Sequence, residues 1–301
     1  MPELPDIEDY LVALRARVID QALLDIQLFS PFLLRTVEPA VDDLIGQHVR
    51  ELRRVGKRIA FGLDSEAWIV LHLMIAGRLA WHDKAPKSKS KNVLARFEFA
   101  SGHLTLTEAG SKKRASLHLL PDHAALHALD PGGLEVLDAS LDEFRQRLTL
   151  RNHTLKRALT DPRLFSGIGN AYSDEILHAA RLSPIQQTQK LSAEVIECLF
   201  ECTQQILTQW RARLRDQTGD GFPQKVTAFR DDMAVHGRYG QPCPVCGTEV
   251  QRIRYASNEV NYCPRCQTDG RLLADRALSR LLKKDWPRTI EALENQTRDD
   301  A

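Results

Sequence analysis

The sequence is short of several things, and each absence narrows what the chain can be. No apolar run approaches the roughly 18–20 residues that a bilayer span requires, so a membrane partner is not expected. Charge of one sign is also missing. The 41 Lys and Arg face 40 Asp and Glu for a net charge of +1, which leaves any nucleic-acid affinity to local clustering. The N-terminus, Met1-Pro2-Glu3-Leu4-Pro5-Asp6, is acidic and has no signal-peptide apolar core, so a soluble intracellular protein is expected. There is no internal repeat beyond one pair of cysteine knuckles. Apolar residues are plentiful: at 43% of 301 residues they suffice for the cores of two or three domains and exclude a disordered or collagenous chain.

Only six cysteines are present, and four carry most of the information. Cys243-Pro-Val-Cys246 and Cys263-Pro-Arg-Cys266 are C-x2-C knuckles sixteen residues apart. Each knuckle turns two sulfurs toward one ion, and two knuckles complete a tetrahedron around zinc. The competing reading is two disulfides, which an intracellular chain disfavours. Cys198 and Cys202 fall in a helical stretch with Val195, Leu199, Ile206 and Trp210 on one face, and are expected to be core thiols.

Ile7, Leu11, Leu14 and Val18 recur at helical spacing, with Pro5 suited to a first turn. From about 25 to 120 the texture is β. Trp68–Leu73 is a buried strand candidate, and Val93–Phe99 and His103–Thr107 alternate with period two around the Ser101-Gly102 turn. Short strands at this spacing predict a sandwich or barrel. Lys84–Lys91 reads as a basic, mobile loop. Asp130-Pro-Gly-Gly133 is a linker candidate, after which 141–215 is helical, including one helix from about 192 to 214. Asp216–Gly221 reads as an exposed loop, and Leu272–Glu294 as a helical tail interrupted by Pro287.

Three further features carry chemistry. Removal of Met1 would leave Pro2 with a free secondary amine, and an α-amino group titrates near 8, far below lysine. Glu3 stands beside it, able to move protons. Gly167-Ile-Gly-Asn170 is a glycine-pinned turn opening into a helix, which offers backbone N–H groups and the Asn170 amide to an anion. Gly56-Lys57-Arg58 enters a strand with two basic side chains. Each feature alone is common, a solvated turn or an ordinary chain start.

Together with the knuckles they are not coincidental. The chain resembles the formamidopyrimidine-DNA glycosylase/endonuclease VIII family of base-excision repair enzymes. The resemblance is carried by Pro2-Glu3-Leu4-Pro5, Gly56-Lys57-Arg58, His72-Leu73-Met74 with Gly77-Arg78-Leu79, and Gly167–Asn170 with Asp174-Glu175. Gly237-Arg238 and Tyr262-Cys-Pro-Arg-Cys-Gln267 complete it. It implies an α+β multidomain chain: an N-terminal β-sandwich with an N-terminal helix, a helix–two-turns–helix domain and a C-terminal zinc-finger β-hairpin. The expected boundaries are 1–130, a linker and first helical segment at 131–150, 151–224, 225–272, and a tail at 273–301. It further implies a monomer, cytoplasmic or nucleoid-associated, that binds damaged double-stranded DNA between two lobes and flips the damaged nucleotide out. Pro2 would attack C1′ and form a Schiff base, Glu3 would move protons, and strand scission would follow by β- and often δ-elimination. Lys57 and Asn170 would hold phosphates. Met74 would plug the vacated stack, and Cys243, Cys246, Cys263 and Cys266 would hold one structural zinc.

The chain departs from that pattern in three places. Where the family carries an Arg-Phe wedge, the sequence reads Glu108–Ala115, with a basic run Lys112-Lys113-Arg114 that can meet phosphate but cannot stack between bases. A family His before the strand at Val93 is replaced by Lys91-Asn92. Five residues before the third knuckle cysteine the family carries a phosphate-gripping Arg credited with a role in δ-elimination; here the DNA-facing position is Asn258, with Arg252 and Arg254 nearby. Two rival readings remain: a catalytically idle damaged-DNA-binding protein, and a zinc-ribbon interaction protein with no DNA role. Neither accounts for Pro2 and Glu3.

Overall fold

The computed structural model of the chain describes residues 1–86, 90–255, 258–275, 279–281, 283 and 287–299; residues 87–89, in the segment expected to be a basic, mobile loop, lie outside the described residues. The chain groups into two compact units, Met1–Gly133 with Thr208–Thr227, and Leu134–Leu207 with Ala228–Ala301.

The first unit opens with helix α1, Leu4–Val18, which begins where Pro5 suits a first turn and Glu3 caps it. Ile7, Leu11, Leu14 and Val18 are all buried. Eight strands follow in two antiparallel sheets. One sheet orders β1 (Leu23–Leu28), β6 (Val93–Phe99), β7 (Gly102–Glu108) and β5 (Gly77–His82); the other orders β2 (Val49–Val55), β3 (Arg58–Leu63), β4 (Trp68–His72) and β8 (Ser116–Leu120). Their inner faces share one core: Leu79, Ala95, Phe97, Phe99, Leu104 and Leu106 from one, and Ile59, Phe61, Ile69, Leu71, Leu117 and Leu119 from the other. This is the expected sandwich. A bulge at Val93/Ala95 interrupts the alternation of β6 and buries Leu94 and Ala95 together. The apolar run Trp68–Leu71 of β4 has a different cause: Trp68 and Val70 lie under Leu126 of helix α2, His123–Leu129, so this run is packed on both faces.

The second half of the long helix α6, Ala193–Thr218, groups with this unit, so contacts divide that helix at Leu207/Thr208 instead of leaving 151–224 whole. The helix also runs through Asp216, four residues past the expected end. The segment after it is tied to α1: Thr218 Oγ1 donates to Asp9 Oδ2 at 2.7 Å, Arg17 Nη2 donates to the Asp220 carbonyl at 3.1 Å, and the Phe222 ring lies 5.7 Å from Tyr10.

The second unit packs α3 (Leu141–Thr149), α4 (Leu155–Thr160), α5 (Asn170–Ala179) and the first part of α6 around Phe144, whose ring is 4.8 Å from Phe165 and 5.3 Å from Phe200. The reciprocal capping box of Ser140 and Glu143 starts α3. Strands β9 (Gln251–Tyr255) and β10 (Asn258–Tyr262) form a hairpin, followed by α7 (Pro264–Thr268) and, in the tail, α8 (Ile290–Asp299). The buried stripe of α6 is Ile196, Leu199, Thr203, Leu207, Trp210 and Leu214. The expected core role of Cys198 and Cys202 is therefore corrected: Cys198 is exposed and Cys202 half-buried. At about 100° per residue, a stripe through Val195 and Ile206 is rotated off the true one. No described helix is long and apolar enough to cross a membrane.

On the outer face of the second sheet, Arg58 pairs in register with His72 across β3 and β4, and Val70 with His118 across β4 and β8. Burial, aided by the charges of Arg58, Lys57 and His118, pushes His72 down to about 4; burial also lowers His118. A histidine depressed on folding takes up its proton first in the unfolded chain, so its contribution is complete above its ordinary value and falls away as pH drops. Stability should decline between about pH 6.5 and 4, and His72→Gln should flatten that decline in urea midpoints measured across the range.

Candidate active site and zinc centre

The chain terminus lies within the first unit's core region. Pro2 is buried, and Glu3 is 2% exposed at the start of α1, where its backbone N–H donates to Asp6 Oδ2 at 2.9 Å. Burial is the largest influence on the amine of Met1, the residue before Pro2, and pushes it below its ordinary value; Glu3 opposes this, Arg78 adds to it, and Asp6 and Lys57 act more weakly in opposite senses. Lys57 sits in the β2–β3 turn, which Gly56 makes with φ +60°. Its ammonium is lowered by burial, with Glu3 opposing and Arg58 assisting. One carboxylate, Glu3, thus acts on both the terminal amine and Lys57. An amine depressed by burial and flanked by a proton carrier is suited to nucleophilic attack.

Arg78 was legible only as part of a motif, yet it organises this neighbourhood. Its Nε donates to the Val226 carbonyl, and its Nη1 donates to the Ile75 carbonyl at 3.1 Å and the Gly77 carbonyl at 2.6 Å. It therefore pins the turn that carries Met74, which is half-buried at φ +53°. Gly77 is required there for a different reason: a Cβ would lie 2.2 Å from the Leu73 carbonyl oxygen.

The basic run divides by role. Lys112 and Arg114 are exposed, but Lys113 turns inward, donating through Nζ to the Glu108 carbonyl and to Asn92 Oδ1 at 3.2 Å. The loop is ordered by Glu108, 1% exposed, whose carboxylate accepts from the Arg114 and Ala115 backbone N–H groups at 2.8–3.0 Å.

In the second unit, Gly169 caps α5 and Asn170 is its first residue. The Asn170 amide donates to the Glu259 carbonyl of β10 at 2.8 Å. One turn on, the buried pair Asp174 and Glu175 joins α5 to the chain leading into the knuckles. Glu175 accepts the backbone N–H groups of Ala234, Val235 and His236 at 2.7–2.9 Å. Burial raises the Glu175 carboxyl, and those three donors oppose the rise. Asp174 meets Lys156 Nζ, His236 Nδ1 at 2.7 Å and the Asn261 N–H at 3.2 Å. The hairpin keeps simple register, with Asn258 opposite Tyr255, Glu259 opposite Arg254 and Asn261 opposite Arg252. Arg252 and Arg254 are thus one strand away from position 258, and both face Glu259.

The four knuckle sulfurs lie within 4.8 Å of one another. Cys246 and Cys263 are 3.4 Å apart and Cys243 and Cys266 3.9 Å, too far for disulfides, whose S–S bond is about 2.05 Å. A tetrahedron with zinc–sulfur bonds of about 2.3 Å has edges of roughly 3.8 Å, so the cluster fits zinc with no open position. His178 Nε2 of α5 lies 3.3 Å from Cys243 Sγ, and Gln267 Oε1 accepts from the Cys263 N–H at 2.8 Å while its amide donates to the Leu182 carbonyl. These outer partners orient the ligands.

Comparison with known proteins agrees with this layout. Residues 1–116 match the formamidopyrimidine-DNA glycosylase N-terminal domain, 131–217 its H2TH domain, and 240–268 a zinc finger found in FPG and IleRS. The formamidopyrimidine-DNA glycosylase of Acidothermus cellulolyticus is 32% identical over 89% of this chain and 97% of its own. An uncharacterized formamidopyrimidine-DNA glycosylase-like protein of Mycobacterium tuberculosis is 42% identical over 50% of this chain and 94% of its own. Among solved structures, the Lactococcus lactis enzyme bound to DNA containing an abasic site superposes with a TM-score of 0.77 at 25% identity, covering 88% of this chain and 99% of that one. The chain belongs to the formamidopyrimidine-DNA glycosylase family, and its four knuckle cysteines form the family's structural zinc centre.

Cys243→Ser or Cys266→Ser should lose the metal, since each thiolate is needed to close the tetrahedron. Elemental analysis should fall from one zinc per chain toward none, and amide exchange should accelerate across 234–272 while β3, β4 and β7 keep their protection.

Proposed function

We propose that the protein is a bifunctional DNA glycosylase and abasic-site lyase of base-excision repair, with Pro2 as nucleophile after removal of Met1. The observation that carries this reading is the placement of buried Pro2 next to buried Glu3 at the chain start, where Glu3, Arg78 and Lys57 all act on the adjacent Met1 amine, because binding DNA needs no such arrangement. The Pro2 nitrogen attacks C1′ of the damaged nucleotide as the bond to the base breaks, the base departs with the amine's proton, and cleavage of C1′–O4′ with protonation of O4′ opens the sugar to an iminium. That cation acidifies the C2′ proton; its loss breaks the 3′ C–O bond by β-elimination. Glu3 carries protons at the sugar. Lys57, Lys112, Arg114 and Asn170 meet phosphate, Lys113 braces its loop, and Met74 fills the vacated stack. The relatives named as glycosylases and the neighbours bound to damaged DNA support the reaction class. The partner is damaged double-stranded DNA, met by a monomer inside the cell.

Borohydride reduction on abasic-site duplex should trap a covalent complex through Pro2, located by mass spectrometry of the N-terminal peptide. Retention of Met1 should abolish trapping. Full trapping with Met1 in place would move the nucleophile to a lysine, and tight binding without any trapping would favour the idle DNA-binding reading.

The second cleavage step has its own expectation. Loss of the remaining phosphate develops negative charge, which a guanidinium grips more strongly than an amide, by roughly 1 kcal/mol or more. Products ending in the unsaturated sugar should predominate at short times, and Asn258→Arg should shift them toward the phosphate end by about tenfold in rate. A gel that resolves the two termini reads the outcome.

A further inference from the structure

Glu259 stands out on the hairpin because one carboxylate serves three described polar side chains on its face. Arg252 Nη1 donates to Oε2 at 3.3 Å, Arg254 Nε lies 3.6 Å from the same oxygen, and the Asn261 amide donates to Oε1 at 2.9 Å. The guanidinium of Arg252 also lies 4.0 Å from the centroid of the half-exposed Tyr239 ring. Beneath them, the Glu259 carbonyl accepts from Asn170, which fixes the hairpin to the head of α5. Ile253, Val260 and Tyr262 fill the opposite, buried face. The result is a rigid platform that presents two arginines and one acid together.

We infer that Glu259 is a latch on the hairpin arginines: its carboxylate holds Arg252 and Arg254 in the free protein, and duplex phosphate takes both over on binding. The inference rests on the DNA-binding reading above. The side chains are 28%, 60% and 31% exposed for Arg252, Arg254 and Glu259, so water already competes for these pairs and exchange is easy. A phosphate offers each guanidinium a two-oxygen acceptor of full charge, the geometry that its fork fits. After the exchange the carboxylate is left without its cations beside a polyanion. Glu259 therefore restrains affinity, and the arginines contribute less than their number suggests.

The test is anisotropy titration of a labelled duplex bearing a tetrahydrofuran abasic analogue, over a series of KCl concentrations. The zinc-loaded full chain, E259Q, R252Q, R254Q and the two double variants are compared. Glutamine keeps an acceptor for Asn261 and removes only the charge. E259Q should bind about three- to tenfold tighter, with the slope of log K against log salt steeper by about one. Each arginine substitution should weaken binding more in the E259Q background than in the unaltered chain, because a double-mutant cycle reports the shared contact. An unchanged dissociation constant in E259Q overturns the latch. So does tighter binding with additive arginine effects, which would make Glu259 a simple repulsive charge. If the unaltered chain holds no duplex even at low salt, the DNA-binding reading falls and the latch with it. Zinc content of one per chain in every variant excludes misfolding as the cause.

Discussion

The buried carboxylate pair of α5 is the constraint on which the second unit depends. Glu175 gathers three consecutive backbone N–H groups, and Asp174 meets a lysine, a histidine and a strand N–H. Neither carboxylate would be tolerable without these partners, since an unpaired buried charge costs several kcal/mol. The 234–236 segment is correspondingly held to one path. That path delivers the first knuckle to the place where His178 reaches Cys243, and it sets the hairpin so that Asn170 reaches Glu259. The zinc then closes a module already registered on α5. Lys156 adds a second tie by donating to both the Asn170 carbonyl and Asp174, so the glycine turn at the head of α5 and the charge pair are held together.

The first unit sets a different balance, around the Met1 amine that precedes Pro2. Desolvation alone would depress the amine and destabilise its charged form. The sandwich supplies a carboxylate, Glu3, that restrains the depression, and two cations, Arg78 and Lys57, that add to it. The opposing charges sit on separate elements: Glu3 at the start of α1, Lys57 in the β2–β3 turn, Arg78 on β5. Arg78 is spoken for three times by backbone carbonyls, so its charge is positioned without being neutralised by a carboxylate at hydrogen-bond range.

Much of this was legible in the sequence where the signal is local. Knuckle spacing identifies the zinc centre, period-two runs identify the strands, and the Gly167–Asn170 turn lies at the head of a helix as its glycines require. The failures share one cause, which is that partners distant in sequence decide the outcome. Cys198 is a helical residue with a plausible stripe, but only packing shows that the stripe runs through Ile196 and Thr203. Lys113 reads as one of three solvated cations until the Glu108 carbonyl and Asn92 claim it. Asp174 and Glu175 were visible as motif letters, and nothing local says that their partners lie about sixty residues on. The wholly apolar run of β4 was readable as buried, though not as buried by a helix fifty residues later.

A chain with 41 basic and 40 acidic side chains must create any attraction for a polyanion by arrangement, not by excess. A few acids are withdrawn from the surface. Glu3, Glu108, Asp174 and Glu175 are all buried and engaged by backbone donors or neighbouring cations. Lys112 and Arg114 remain exposed beside a loop that one of those acids orders. A carboxylate paired with a cation has its long-range field offset, whereas one held only by backbone N–H groups keeps its charge, and both kinds shape the backbone that presents the cations. Glu259 is among the acids left in view, one-third exposed and placed between two arginines. A carboxylate in that position adds nothing to the hairpin's apolar core. Its effect is to set how strongly the hairpin competes for an anion, so on this chain the strength of the grip is governed by the acids as much as by the bases.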